Sequence, residues 1–175
     1  MNGEGMNNMT HQTWKATKIL AGFAAIMVIA LLTGCAAQPK EAEHAAHRLP
    51  NGDLQEQTAS VNTLPSFLNG QAEPIRQVYS LASQHPDLLK SIPCYCGCGE
   101  SAGHQHNLNC YIKEINPDGS VVWDDHGTRC NVCLEIAVKS IQYQSQGKSV
   151  QQIRNSIDQD YHSGYAKPTP TPMPQ

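Results

Sequence analysis

The longest apolar run in this chain, Ile19 to Leu32, is broken only by Gly22 and is preceded by Lys15 and Lys18. Its fourteen residues fall short of the about 20 that cross a bilayer, so it predicts a secretory signal rather than a membrane span. Further along, Ile75, Val78, Tyr79 and Ala82 recur at i, i+3, i+4 and i+7 behind Pro74, a residue the first helical turn tolerates. This spacing predicts an amphipathic helix over Glu73 to Gln84. His85-Pro86 closes it, Pro86 to Lys90 predicts one further turn, and Pro93 forces Ile92 into extended geometry. Tyr111 to Ile115 and Ser120 to Trp123 flank Asn116-Pro-Asp-Gly119, where proline fixes one φ and glycine accepts a positive one, predicting a short β-hairpin. From Cys130 to Gln146 a stripe of Cys130, Cys133, Ala137 and Ile141, with Leu134 and Val138 beside it, predicts a helix stopped by Gly147. Ser149-x-x-Gln152 has capping-box form, and Val150, Ile153, Ile157 and Tyr161 make the apolar face of a last helix ending near Gly164. The expected fold is mainly α: a small helical domain with a Cys-rich loop and one short β-hairpin.

Two segments lack any period. Ala36 to Ser66 is polar and predicts a flexible tether reaching roughly 30 Å as a coil. Lys167-Pro-Thr-Pro-Thr-Pro-Met-Pro-Gln175 carries proline at every second position, which admits polyproline II but neither helix nor ladder. The expected organisation is therefore a signal peptide over 1–34, a tether over 35–66, one domain over 67–163 and a disordered tail over 164–175. A length of 175 residues allows one modest core, and a net charge of −3 with no run of Lys or Arg excludes nucleic acid as the main partner.

The apolar run ends in Leu32-Thr33-Gly34-Cys35, which resembles a bacterial lipobox. That resemblance implies a cysteine, Cys35, that carries diacylglycerol and becomes the new N-terminus. Two acyl chains hold a protein on a membrane where one does not. The expected location is the extracytoplasmic face of a bacterial cell membrane, with the membrane itself as a partner through the lipid on Cys35.

The other six of the seven cysteines lie between Cys94 and Cys133, together with His104, His106 and His126. Cys94, Cys96 and Cys98 are spaced two apart, which rarely meets disulfide geometry but lets a loop folded on its glycines direct several sulfurs into one space. Cys130 and Cys133 stand in a first helical turn, where free N–H groups favour thiolate for metal binding or redox attack. The window also holds Lys113 and Arg129 against Glu100, Glu114, Asp118, Asp124 and Asp125, a balance that attracts cations. Thiolates with imidazoles suit copper or zinc. Six thiols exceed what one tetrahedral zinc uses, which ranks copper first and zinc next. The candidate ligands are Cys94, Cys96, Cys98, Cys110, Cys130, Cys133, His104 and His126, the two histidines each standing near a glycine; His106 is equally a ligand or a solvated neighbour. Tyr95 and Trp123 are expected to cover the site, and Asp124-Asp125 to form a solvated turn. A site of this kind serves sequestration or delivery, with a metal-donor or metal-acceptor protein as partner.

Pro93-Cys94-Tyr95-Cys96-Gly97-Cys98, followed by His104, Asn107-Leu-Asn-Cys110, Trp123-Asp, His126-Gly and Cys130-x-x-Cys133, resembles the bacterial PCYCGC-motif lipoprotein family. The likeness runs from Pro65 to Tyr161 and implies an exported, lipid-anchored protein without assigning a reaction. Arg129-Cys-Asn-Val-Cys133 and the two helices after it are also similar in layout to the cytochrome c maturation thiol-oxidoreductases. That likeness implies thiol–disulfide exchange, Cys130 attacking and Cys133 resolving. Three structural disulfides in a non-catalytic surface protein are the third reading, since six is an even number and an exported chain meets oxidising conditions. No phosphate-binding glycine loop, Ser/His/Asp elbow or HExxH is present, so a binding role is favoured over an enzyme.

Overall fold

Glu73–Gln84 forms the first α-helix, α1, with Pro74 in its opening turn. The computed structural model describes residues 46–175, all within the unit Ala42–Gln175. The expected signal over 1–34 and the expected lipid-bearing Cys35 lie outside the described residues. Pro86–Lys90 follows as the short helix α2, and Cys98–Ser101 as the single turn α3. Asn131–Ser145 forms α4 and Val150–Tyr161 forms α5, whose Ser149 and Gln152 make the reciprocal capping box. Among these described residues no helix is long and apolar enough to cross a membrane.

The described residues are mixed α/β rather than mainly helical, because four strands accompany their five α-helices. β1 (Ala46–Arg48), β2 (Leu54–Thr58), β3 (Ile112–Ile115) and β4 (Val121–Asp124) make one antiparallel sheet in the order β1-β2-β4-β3. The expected hairpin is β3–β4, with Asn116 and Gly119 closing the turn by a 2.9 Å backbone hydrogen bond and Gly119 at φ 87°.

The other two strands lie in the stretch expected to be a tether, so the folded domain begins by Ala46 rather than near residue 67. β2 escapes a pattern search because its inward-facing positions are polar. Glu56, 1% exposed, accepts from the backbone N–H of Ser66 at 2.6 Å, the Ser66 hydroxyl at 2.8 Å and the Phe67 N–H at 3.3 Å. The Gln55 amide donates to Asp124 at 2.9 Å, and the Trp123 indole donates to the Thr58 hydroxyl at 2.8 Å. Specific hydrogen bonds replace the apolar alternation that normally marks a strand.

The proline tail is likewise ordered against the domain. Thr169 donates its N–H to the Cys94 carbonyl at 2.9 Å, while its hydroxyl oxygen accepts from the Cys94 N–H at 2.9 Å. Ala166 donates to the Tyr95 carbonyl at 3.1 Å, and the Thr171 hydroxyl to the Gln105 carbonyl at 2.6 Å. Arg154, from α5, donates to the carbonyls of Thr171 and Pro172 at 3.1 and 3.0 Å. Alternate prolines leave the threonines between them as donors, so an extended tail can still dock.

The core joins the sheet to the helices. Tyr79 of α1 donates its hydroxyl to the Asp124 carbonyl at 2.8 Å and packs edge-on against Tyr111 at 5.1 Å. Leu89, Ile92, Trp123, Ile136, Ile153 and Ile157 are all fully buried around it, and so are Cys94, Cys110 and Cys133. The sulfurs therefore belong to the core rather than to a surface loop.

Candidate metal centre

Three segments deliver the six cysteines to one place. Pro93 leads into Cys94-Tyr95-Cys96, and Gly97, at φ 89°, turns the chain so that α3 starts on Cys98. A side chain at that φ is strained, which gives the glycine its role. A 3-10 turn, Asn107–Cys110, supplies Cys110; it is pinned where Asn107 donates to the Ile92 carbonyl at 2.8 Å and to the Cys133 carbonyl at 3.2 Å. The third segment is the start of α4, where Cys130 is the N-cap and its sulfur accepts from the Cys133 N–H at 3.5 Å.

Cys133 is the hub. Its Sγ lies 3.0 Å from Cys130, 3.2 Å from Cys94 and 3.5 Å from Cys96. Cys94 and Cys96 are 3.4 Å apart, and Cys98 lies 3.9 Å from Cys110. Cys94, Cys98, Cys110 and Cys133 place their sulfurs all within 4.8 Å of one another. Four sulfurs around one zinc at about 2.3 Å would stand about 3.8 Å apart, so the spacing matches a shared cation. All six are free thiols, and even the closest pair is far beyond the about 2.05 Å of a disulfide. The three alternating cysteines of the glycine-bent loop thus converge with Cys110, Cys130 and Cys133, and no disulfide staple is present among the described residues.

The histidines divide. His104, 5% exposed, brings Nδ1 to 3.5 Å from the Cys110 sulfur. His126, in the 3-10 turn Asp125–Arg129, joins Cys96, Cys98 and Cys133 in a second set within 4.8 Å, and its ring packs on that of His104 at 4.8 Å. His106 belongs to neither set; burial and nearby Lys90 push its pKa down, and its Nδ1 is buried without a partner. Cys96, Cys130 and His126 are the partly exposed members, so the cluster opens to solvent on that side.

Crowding splits the thiols. Hydrogen bonds from Cys130, Cys133 and Cys94 hold Cys96 well below the ordinary thiol range. Burial works against ionising Cys110, yet hydrogen bonds from Cys133, Cys94, Cys98 and His104 hold it low as well. Cys133 is pushed up by its contacts with Cys110 and Cys130, and Cys94 and Cys98 are pushed up chiefly by Cys110. A hydrogen bond from Cys133 lowers Cys130, but the Cys96 sulfur and burial outweigh it and leave Cys130 at about 11. The Cys96 sulfur raises His126 to about 9 against the cost of burial. Neighbouring thiolates repel, so only some ionise, and a cation among them removes that restriction.

Several neighbours differ from expectation. Asp124 and Asp125 are 1% and 8% exposed and form no solvated turn. Asp124 accepts from Gln55 and from the His126 N–H at 2.9 Å, and Asp125 from the Leu54 N–H at 2.8 Å. Trp123 lies in the sheet, and Tyr95 donates to Asp158 at 2.8 Å while stacking on Tyr161 at 5.7 Å. Asp53 and Thr169, which contact His126 and Cys94, carried no signal in the sequence: one is a turn residue in an apparent tether, the other sits in an apparent disordered tail.

A family model described as "Protein of unknown function with PCYCGC motif" matches residues 24–174. The chain matches no curated protein and no solved structure.

Proposed function

The chain belongs to that PCYCGC-motif family, whose function is unassigned, and on this premise we propose that it is a metal-binding protein whose thiolate cluster takes copper as Cu(I) first and zinc next. The observation that carries the reading is the convergence of six free thiols, with neighbouring sulfurs 3.0 to 3.9 Å apart, in the core of the domain. Four are mutually close enough for one tetrahedral ion; Cys96 and His126 form a second set with Cys98 and Cys133, and Cys130, in neither set, lies 3.0 Å from Cys133, so the ligands exceed what one zinc uses. Thiolate-rich clusters of that size suit Cu(I), which is soft and accepts shared sulfurs. Cys96, Cys130 and His126 form the side from which an ion enters or leaves, and that opening supports sequestration or delivery to a donor or acceptor protein. The Leu32-Thr33-Gly34-Cys35 sequence supports placing the domain on the outer face of a membrane through a lipid on Cys35.

Thiol–disulfide exchange has one observation in its favour, the 3.0 Å Cys130–Cys133 contact at a helix start. Against it, the attacking thiol would be Cys130, which its neighbours push up to about 11. Attack needs thiolate.

The full chain, purified in detergent without oxygen, tests the proposal when metal content and free thiols are measured on one sample. The expected result is bound copper or zinc, with the six thiols titrating only after denaturation. A metal-free chain with the six cysteines of the cluster paired as disulfides would overturn it.

A further inference from the structure

Asp53 closes the Asn51-Gly52-Asp53 turn between β1 and β2 and is 3% exposed. One of its oxygens pairs with Arg129, which also holds Asp125 at 2.8 Å. The other accepts from the Asn51 amide at 2.7 Å. His126 Nδ1 lies 3.2 and 3.3 Å from the two carboxylate oxygens. A carboxylate only accepts, so Nδ1 carries the proton. When the ring gives up its second proton, as a metal ligand must, Nε2 is therefore the atom left with a free lone pair. His126 is also the imidazole that shares the 4.8 Å set with Cys96, Cys98 and Cys133.

We propose that Asp53 is a positioning residue for the metal centre: held by Arg129 and Asn51, it fixes His126 as the Nδ1–H tautomer and so presents Nε2 to an ion bound by the Cys96 side of the sulfur cluster. This rests on the metal-binding reading above. Imidazole ligands characteristically donate their second N–H to a carboxylate, which orients the ring and strengthens it as a ligand. Asp53, His104 and His126 also place one ligand atom each within 4.8 Å, which raises direct coordination by Asp53 as a competing arrangement. It is disfavoured because each Asp53 oxygen already has a donor, Arg129 on one and Asn51 on the other, and both face His126 Nδ1, so an ion there would have to take the place of one of these partners. Asp53 therefore acts through His126 and not on the metal.

The test uses the full chain with nitrogen-labelled histidine, loaded separately with Cu(I) and Zn(II), both diamagnetic. Long-range imidazole NMR of the wild type is expected to show His126 protonated on Nδ1 and coordinated through Nε2. Asp53→Asn, whose amide can donate to Nδ1 and reverse the tautomer, is expected to lose that signature and to weaken metal binding by about 10–100-fold in chelator competition. The wild-type spectrum decides the matter even if the variant folds poorly. Coordination through Nδ1, or no coordination by His126 in a chain that retains metal, overturns the role of Asp53 while leaving the functional reading standing. A wild-type chain that retains neither metal overturns the functional reading, and with it the inference.

Discussion

In the metal-free chain, six thiols with neighbouring sulfurs 3.0 to 3.9 Å apart cannot all ionise, because each thiolate raises the cost of the next. Cys96 and Cys110 are held low, whereas Cys94, Cys98, Cys130 and Cys133 are held high. His126, raised from 6.5 to about 9 by the Cys96 sulfur, is an imidazolium at neutral pH. Its folded value lies above its unfolded one. The protonated ring therefore stabilises the metal-free fold in full below pH 6.5, and that contribution is lost as pH rises through about 9. A bound metal demands the reverse, a neutral ring and thiolates, so loading expels protons from His126 and from the raised cysteines. Apparent Zn(II) affinity, measured by chelator competition, should rise from about pH 6 to about pH 9 with a slope of more than one proton per ion. An affinity indifferent to pH would show that these groups do not change ionisation on binding.

Elements differ in how plainly the sequence announces them, and the difference is physical. α1, α4 and α5 bury one stripe at helical spacing, α1 carries proline in its first turn, and α5 carries a capping box, so local signals and packing agree. The β3–β4 turn is equally local. β2 is not: Leu-Gln-Glu-Gln-Thr presents polar side chains inward, and only partners far along the chain make their burial tolerable. The cluster itself was legible as a set of cysteines, but its inclusion of Asp53 depended on that hidden strand. Glu56 offers the sharpest test of β2. Glu56→Ala removes the acceptor for the Ser66 and Phe67 N–H groups, in hydrogen bonds that are part-buried. A hydrogen bond to a charged group contributes about 1.5–3 kcal/mol, so urea denaturation of the metal-free chain should show a loss in that range. A loss below about 0.5 kcal/mol would mean that water replaces the carboxylate without penalty and that β2 contributes little to the fold.

At the scale of the whole molecule, both ends of the described chain reach the site. β1 and β2 bring the Asp53 turn to His126, and the tail holds Cys94. Thr169 takes both backbone groups of Cys94, and Ala166 takes the Tyr95 carbonyl. Arg154 ties Thr171 and Pro172 to α5, and a Cβ on Gly99 would stand 3.4 Å from Thr169, so the tail lies directly on the cysteine loop. That loop has only a single helical turn, α3, and one positive-φ glycine to hold its shape, and the tail supplies the rest of its backbone partners. Deleting residues 164–175 should therefore leave α1, α4 and α5 intact by circular dichroism while freeing the loop. In the metal-free chain the thiols should then react with a bulky disulfide reagent several-fold faster than in the wild type. In the loaded chain the metal should pass to a competing chelator faster by a similar factor. Thr169→Val isolates the contact, since it removes the acceptor for the Cys94 N–H but keeps the backbone bond to its carbonyl, and it should fall between the two. If the truncated chain matches the wild type in both rates, the loop holds its geometry unaided and the tail only rests on it.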